Sequence, residues 1–286
     1  KSRIVDSLWA GWTYENKIYG IPAILNTSAF AINKKMWKDA GFEVGKYPKT
    51  MDEFVEAAKK MTTKDVYGLC AFIHEFHISQ YTHAFGGDWS KINSPENEKG
   101  LQFFVDLYKV HKAAVSPTTL NVAWDGEAFA KGKVAMSTGG PWYMGYVKNV
   151  DPNLEYDFFN IPTGTVSKQS AYSNAFTIWE GSQNKEAAMK FIKYATQDDN
   201  ISALGEKVGS IPAVSAVIGN YTEKNPVIKP ILDTVATNGV PFNYPEKAGA
   251  FKTDLTKGVE EIILDKSGDK TVKKLLEDLE SKYGKK

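Results

Sequence analysis

"VAMSTGGPWYMGYV", residues 134–147, changes character in its middle. The first half closes an apolar run, "KVAMST", that reads as a strand finishing at Ser137. Two glycines then let backbone approach closely, and Pro141 suits the first position of a helix, where its missing N–H costs nothing. Strand running into helix is the repeating unit of an α/β protein, and ligands of open α/β sheets gather outside the carboxyl ends of strands. Trp142 and Tyr143 are therefore expected to project from a strand-to-helix junction. An aromatic there can be core. The glycines beside it favour a ligand-facing platform, because the C–H face of a sugar ring packs on an indole as other apolar surfaces do.

Outward from this junction, helix and strand signals alternate along the chain, which gives the fold class as α/β. In "PKTMDEFVEAAKKM", Thr50 and Glu53 form a capping box and Phe54, Ala57, Ala58 and Met61 make one apolar stripe. "NSPENEKGLQFFVDLYKVHK" has Ser94 as N-cap and Pro95 at the first helical position, with Leu101, Phe104, Val105 and Tyr108 on one face. Strands are expected in "KIYGIPAI", "AFAIN", "YGLCAFI", "YDFFNIP" and "NAFTIW". Helices are expected in "KEAAMKFIKYATQ", "NPVIKPILDTVATN", "AFKTDLTKGVEEIILDK" and "DKTVKKLLEDLESKYG", the last with Val272, Leu275, Leu276 and Leu279 inward.

At 286 residues and 42% apolar composition the chain is long enough for two lobes, since single cores stop growing at about 250–300 residues. Lys plus Arg (35) nearly balances Asp plus Glu (34) and no basic run is interleaved with aromatics, so a nucleic-acid partner is not indicated. A single cysteine, Cys70, lies in an apolar strand-like run; no disulfide framework or Cys-based metal site can form within the chain. No P-loop and no Gly-x-Ser-x-Gly turn is present, and no cofactor is expected.

Three of the four histidines fall in "HEFHISQYTHAFGGDW", residues 74–89. His74 and His77 are three apart, where a zinc protease motif needs four with glutamate after the first. Adjacent helical turns still allow a metal-binding reading on His74 and His77 with His83 near by. Partly exposed polar side chains at a helix start are the plainer reading, and the wall of a binding cleft is a third. Glu75 with a second carboxylate leaves open a carbohydrate-active enzyme.

"YENKIYGIPAILNTSAFAINKKMWKDAGF", "PKTMDEFVEAAKKM", "HAFGGDW", "EAFAKGKVAMSTGGPW" and "KEAAMKFIKYAT" together resemble, in order and spacing, the extracellular solute-binding proteins of bacterial ABC importers, in the sugar-binding branch that includes maltose-binding protein. The run F-x-x-G-K-x-A-M-x-x-x-G-x-W, from Phe129 to Trp142, is the most specific part. The resemblance implies two α/β lobes of the periplasmic-binding-protein type with hinge crossings, a carbohydrate held between them, no catalysis, delivery to a membrane permease, and a periplasmic or extracellular location with lipid anchoring through an N-terminal region. It places Asn26 just after the first crossing and presents Phe76, flanked by Glu75 and His77, to the ligand. Trp142 becomes the stacking tryptophan, with Gly140 and Tyr143 beside it. Ser173 and Asn174 come to the second crossing, and Tyr244 to a loop returning to the second lobe. The 74–89 stretch then becomes a cleft wall.

Residues 27–171 with 236–286 are expected to form a complete lobe two, and 1–26 with 172–235 a partial lobe one with the hinge segments. In such proteins about a hundred residues, the size of a small domain, precede the "WTYENKIYGIP" segment. The expectation is a first lobe that is incomplete in this chain, which is then either a fragment or is completed by the missing N-terminal segment as a separate chain, the protein being otherwise monomeric.

Overall fold

The computed structural model describes residues 2–284, so the domain limits expected at 1 and 286 fall outside the described residues. A five-stranded sheet runs in the order Ala114–Val115, Tyr67–Cys70, Val134–Gly139, Ala29–Asn33, Tyr156–Phe159. The first three strands are parallel, and Ala29–Asn33 is antiparallel to both its neighbours. Val134–Gly139 and Ala29–Asn33 are buried at every residue, as strands covered on both faces must be.

Side chains alternate across that sheet. Phe30 and Ile32 join one core with helices Met51–Met61, Pro95–Lys109, Ala248–Leu264 and Val272–Tyr283, while Ala29 and Ala31 join a second with Tyr143 and Val147 of helix Tyr143–Val150. The helix starts follow the sequence signals. Thr50 Oγ1 accepts from Glu53 N at 3.2 Å and Glu53 Oε2 accepts from Thr50 N at 3.3 Å; Ser94 Oγ accepts from Asn97 N at 3.2 Å.

A smaller, four-stranded sheet has the order Ile211–Pro212, Ile21–Thr27, Gln169–Phe176, Gly239–Val240. Its two long strands are antiparallel, with Asn26 opposite Tyr172, Leu25 opposite Ser173 and Ile24 opposite Asn174. The chain passes from the smaller sheet to the larger through a single residue, Ser28, whose N–H donates to Ser170 O at 3.0 Å. Helices Lys185–Ala195, Asp198–Val208, Ser215–Lys224 and Lys229–Asn238 belong to the smaller unit. Gly209, in the left-handed region at φ 69°, lies so close to Gly145 that a β-carbon built on it would sit 2.6 Å from Gly145 N. This backbone contact brings the smaller unit against the helix that follows Trp142.

Several boundaries differ from the sequence reading. The strand expected over "NAFTIW" is Gln169–Phe176, and Trp179 beyond it is 78% exposed. "KVAMST" continues as strand to Gly139, because pairing with Ala29–Asn33 extends through both glycine-side residues. Pro141 does not open the helix: Tyr143 N donates to Gly140 O and Met144 N to Pro141 O, both at 3.0 Å, so a tight turn intervenes and the helix begins at Tyr143. Among the described residues, no helix is long and apolar enough to cross a membrane.

Candidate functional site

Helix Glu75–Ala84 is capped by His74, whose Nδ1 accepts from Phe76 N at 3.3 Å. From His77 to Ala84 it is buried, and Phe76 at its start is partly exposed. The Phe76 ring centroid lies 5.5 Å from Trp142, 5.5 Å from Tyr172 and 5.3 Å from Phe242. Phe242 in turn stacks on Tyr244, centroids 5.7 Å apart and planes 9° from parallel. Five partly exposed rings from the helix start, the strand-to-helix junction, the strand Gln169–Phe176 and the segment after Val240 thus form one continuous wall where the two sheets meet.

The two glycines of the junction have a steric reason. A β-carbon on Gly139 would lie 2.4 Å from the Tyr143 ring, and one on Gly140 would lie 2.2 Å from the Trp142 ring and 2.6 Å from Thr27 O. Each ring folds back over its own glycine, the indole towards the wall and the phenol into the core.

Polar groups border the rings. Asn26 Nδ2 donates to Asn174 Oδ1 at 3.0 Å, while Asn26 Oδ1 is buried with no protein partner. Ser173 Oγ accepts from Trp12 Nε1 at 2.7 Å. Glu75 has His74 Nδ1 at 3.0 Å and Lys252 Nζ at 3.7 Å; Lys252 also lies 4.3 Å over the Tyr244 ring, whose hydroxyl is 3.2 Å from Ser79 Oγ. Burial pushes the Tyr172 and Tyr244 hydroxyls well above the ordinary tyrosine range, so both remain neutral donors.

Of the residues expected here, Asn26, Glu75, Phe76, Trp142, Asn174 and Tyr244 border the wall, while Ser173, next to Tyr172 in the strand, turns to the opposite face and bonds Trp12. Gly140 lies beneath the indole. His77 and Tyr143 point the other way. Tyr143, expected to project with Trp142, is fully buried because its hydroxyl donates to the carboxylate of buried Asp125. His77 Nε2 lies 3.7 Å from the same carboxylate, and burial lowers its pKa against the opposing pull of Asp125. Tyr172, Phe242 and Lys252 were not singled out in the sequence, since each reaches the wall from a distant segment.

His74 and His77 do not assemble a metal site: their ring centroids are 6.2 Å apart, His77 faces Asp125, and among the described residues no three His, Cys, Asp or Glu side chains gather to hold an ion. A groove of about 1500 Å³ lies elsewhere, between helix Met51–Met61, strand Tyr156–Phe159 and helix Lys229–Asn238, and none of the wall residues lines it.

The family described as "Bacterial extracellular solute-binding protein" matches residues 1–201. The maltotriose-binding protein of Pyrococcus abyssi is 28% identical over 232 residues, 75% of this chain and 48% of that protein. The diacetylchitobiose-binding protein of Streptomyces coelicolor is 27% identical over 232 residues, 75% of this chain and 54% of that protein. The chain therefore spans about half the length of these relatives. An ABC substrate-binding protein from Listeria monocytogenes, solved in complex with cycloalternan, superposes with a TM-score of 0.87 at 20% identity over 98% of this chain and 74% of that one. The shared architecture is the two-lobe fold of periplasmic binding proteins.

Proposed function

The chain belongs to the bacterial extracellular solute-binding proteins, and we propose that it captures a carbohydrate, a mono- or oligosaccharide, against the aromatic wall where its two sheets meet. The observation that carries this reading is the ring wall around Phe76 and Trp142 with polar groups at its border. A sugar presents apolar C–H faces between a belt of hydroxyls, and a site that offers aromatic faces beside hydrogen-bonding groups matches both. Phe76, Trp142 and Tyr172 take the C–H faces. Asn26 Oδ1, Glu75, Asn174 and Tyr244 take hydroxyls, and Ser173, bonded to Trp12 behind the strand, supports them from the other face.

Capture without bond breaking fits the reactive groups present. The Cys70 thiol is buried and pushed up by burial and by Asp125, which disfavours the thiolate a nucleophile needs. Glu75 is held between Lys252 and His74.

In this reading residues 27–171 with 236–286 and residues 1–26 with 172–235 are the two bodies that close on the ligand. The crossings at Ser28 and before Gln169 absorb the motion, and the closed shape is what the permease of an ABC importer reads. The protein works outside the cytoplasmic membrane, lipid-anchored through its N-terminal side.

Titration calorimetry against maltose, maltotriose and diacetylchitobiose tests the proposal. Saturable heat with at least one of them is expected. A folded protein that binds none of the three, nor any member of a wider saccharide panel, contradicts it.

A further inference from the structure

Each of the two central rings of the wall has a sequence neighbour that turns inward. Phe76 is followed by His77 and Trp142 by Tyr143, and both inward side chains reach one carboxylate, that of Asp125, which is 3% exposed. Tyr143 Oη donates to Asp125 Oδ2 and lies 2.9 Å from Ser137 Oγ and 3.2 Å from Thr138 O. Ser137 Oγ is itself 3.4 Å from Asp125 Oδ2. His77 Nε2 is 3.7 Å from Asp125 Oδ1, and its Nδ1 is buried with no hydrogen-bond partner. The ring is therefore oriented by the carboxylate and by the aromatics around it.

A buried carboxylate is costly, and apolar residues of similar volume commonly give a more stable core at such places. What such a cluster supplies instead is a definite arrangement of the elements it joins, by hydrogen bonds through Tyr143 and Ser137 and by a longer approach, without a hydrogen bond, through His77. Here those elements are the helix that starts with Phe76, the turn that carries Trp142, and the short helix Asp125–Ala130, which packs against helix Tyr143–Val150 and strand Val134–Gly139.

We infer that Asp125 is a positioning residue for saccharide binding: through Tyr143 it fixes the Trp142 turn, and through His77 it fixes the start of the Phe76 helix, so that the two rings are set against each other before ligand arrives. The inference rests on the carbohydrate reading of the wall. A ring held in place by a neighbour's buried hydroxyl loses no rotamer freedom on binding, which is how preorganisation adds affinity without adding a contact.

The test combines Tyr143→Phe, Asp125→Asn, Trp142→Ala and the Trp142→Ala/Tyr143→Phe double variant, titrated with maltotriose or whichever saccharide the panel identifies. Tyr143→Phe keeps the ring over Gly139 and removes only the hydroxyl that donates to the carboxylate, so about a tenfold loss of affinity is expected. In the Trp142→Ala background the same change should add nothing, because the ring being positioned is gone. Asp125→Asn keeps an acceptor for Tyr143 and should retain more affinity than Asp125→Ala. Equal losses in both backgrounds, or no loss with Tyr143→Phe, overturn the inference.

A ligand-free readout separates this from the reading beneath it. Among the seven indole signals in a nitrogen-15 spectrum, the one that vanishes in Trp142→Ala should shift or broaden in Tyr143→Phe. Its failure to move overturns positioning even where saccharide binds. If the signal moves and Trp142→Ala leaves every titration unchanged, the carbohydrate reading is what fails. Should Tyr143→Phe not fold, Ser137→Ala removes the second hydroxyl beside the same carboxylate oxygen and carries both measurements.

Discussion

Phe76 and Trp142 meet edge to face, with ring centroids 5.5 Å apart and planes 75° apart. They come from segments 66 positions apart in the chain, yet they abut at the line where the larger sheet joins the smaller. The two rings therefore form adjoining parts of one surface. In the proposed reading a saccharide lies along that surface and is not clamped between two parallel plates.

Removing the larger ring should weaken saccharide binding. Trp142→Ala is expected to cost about 1–3 kcal/mol of binding free energy, the range for losing one large apolar contact, measured by calorimetry. Because the indole is partly exposed, the variant should remain folded by circular dichroism.

Gly140→Ala should damage the same site by a different route. The new methyl carbon would lie 2.6 Å from Thr27 O as well as against the indole, and a backbone oxygen cannot yield as a side chain can. Both melting temperature and saccharide affinity should fall. Gly249→Ala is the control, since a β-carbon there has nothing within 4 Å, and it should leave affinity unchanged.

Acid should destabilise the fold through His83. Its Nδ1 pairs with Ser170 Oγ at 3.0 Å, its Nε2 is buried without a partner, and burial brings its pKa down to about 4. A histidine with a depressed folded-state pKa contributes stability that is present above its unfolded value, about 6.5. That contribution is lost as pH falls towards 4, because the unfolded chain then binds the extra proton. Urea midpoints measured from pH 7 to pH 4.5 should fall, and less steeply in His83→Gln. Equal slopes in the two proteins would exclude His83 as the source.

Thr50→Ala should lower stability and leave binding alone. It removes the hydroxyl of the capping box on Met51–Met61, worth about 1 kcal/mol. The helix packs on the core of the larger sheet and contributes no side chain to the ring wall. A urea unfolding series with a parallel titration separates the two effects.

The parts of this structure that were legible in the sequence are those set by local physics. The Thr50 and Glu53 box, the Ser94 cap, and the apolar runs of Val134–Gly139 and Ala29–Asn33 depend on residues a few positions apart, and each folds as its pattern says. Strands of two residues, such as Ala114–Val115 and Ile211–Pro212, are too short to carry a period. At the site, the family-like spacing pointed to Phe76 and Trp142, which do adjoin. Tyr143 was misread because two consecutive aromatics give no local sign of which turns inward; that is decided by Asp125, 18 positions earlier. Tyr172, Phe242 and Lys252 arrive through the second crossing and the helix Ala248–Leu264, so only the assembled fold brings them to the wall.

Saturation-transfer difference NMR with maltotriose, and with any other saccharide that gives heat, tests most directly whether this wall holds a sugar. Saturating the aromatic protons of the protein should transfer strongly to the C–H protons on one face of the sugar ring, and that transfer should drop in Trp142→Ala. Transfer of equal strength in the wild type and in Trp142→Ala would contradict the account, as would the absence of any transfer from a protein that binds the saccharide by calorimetry.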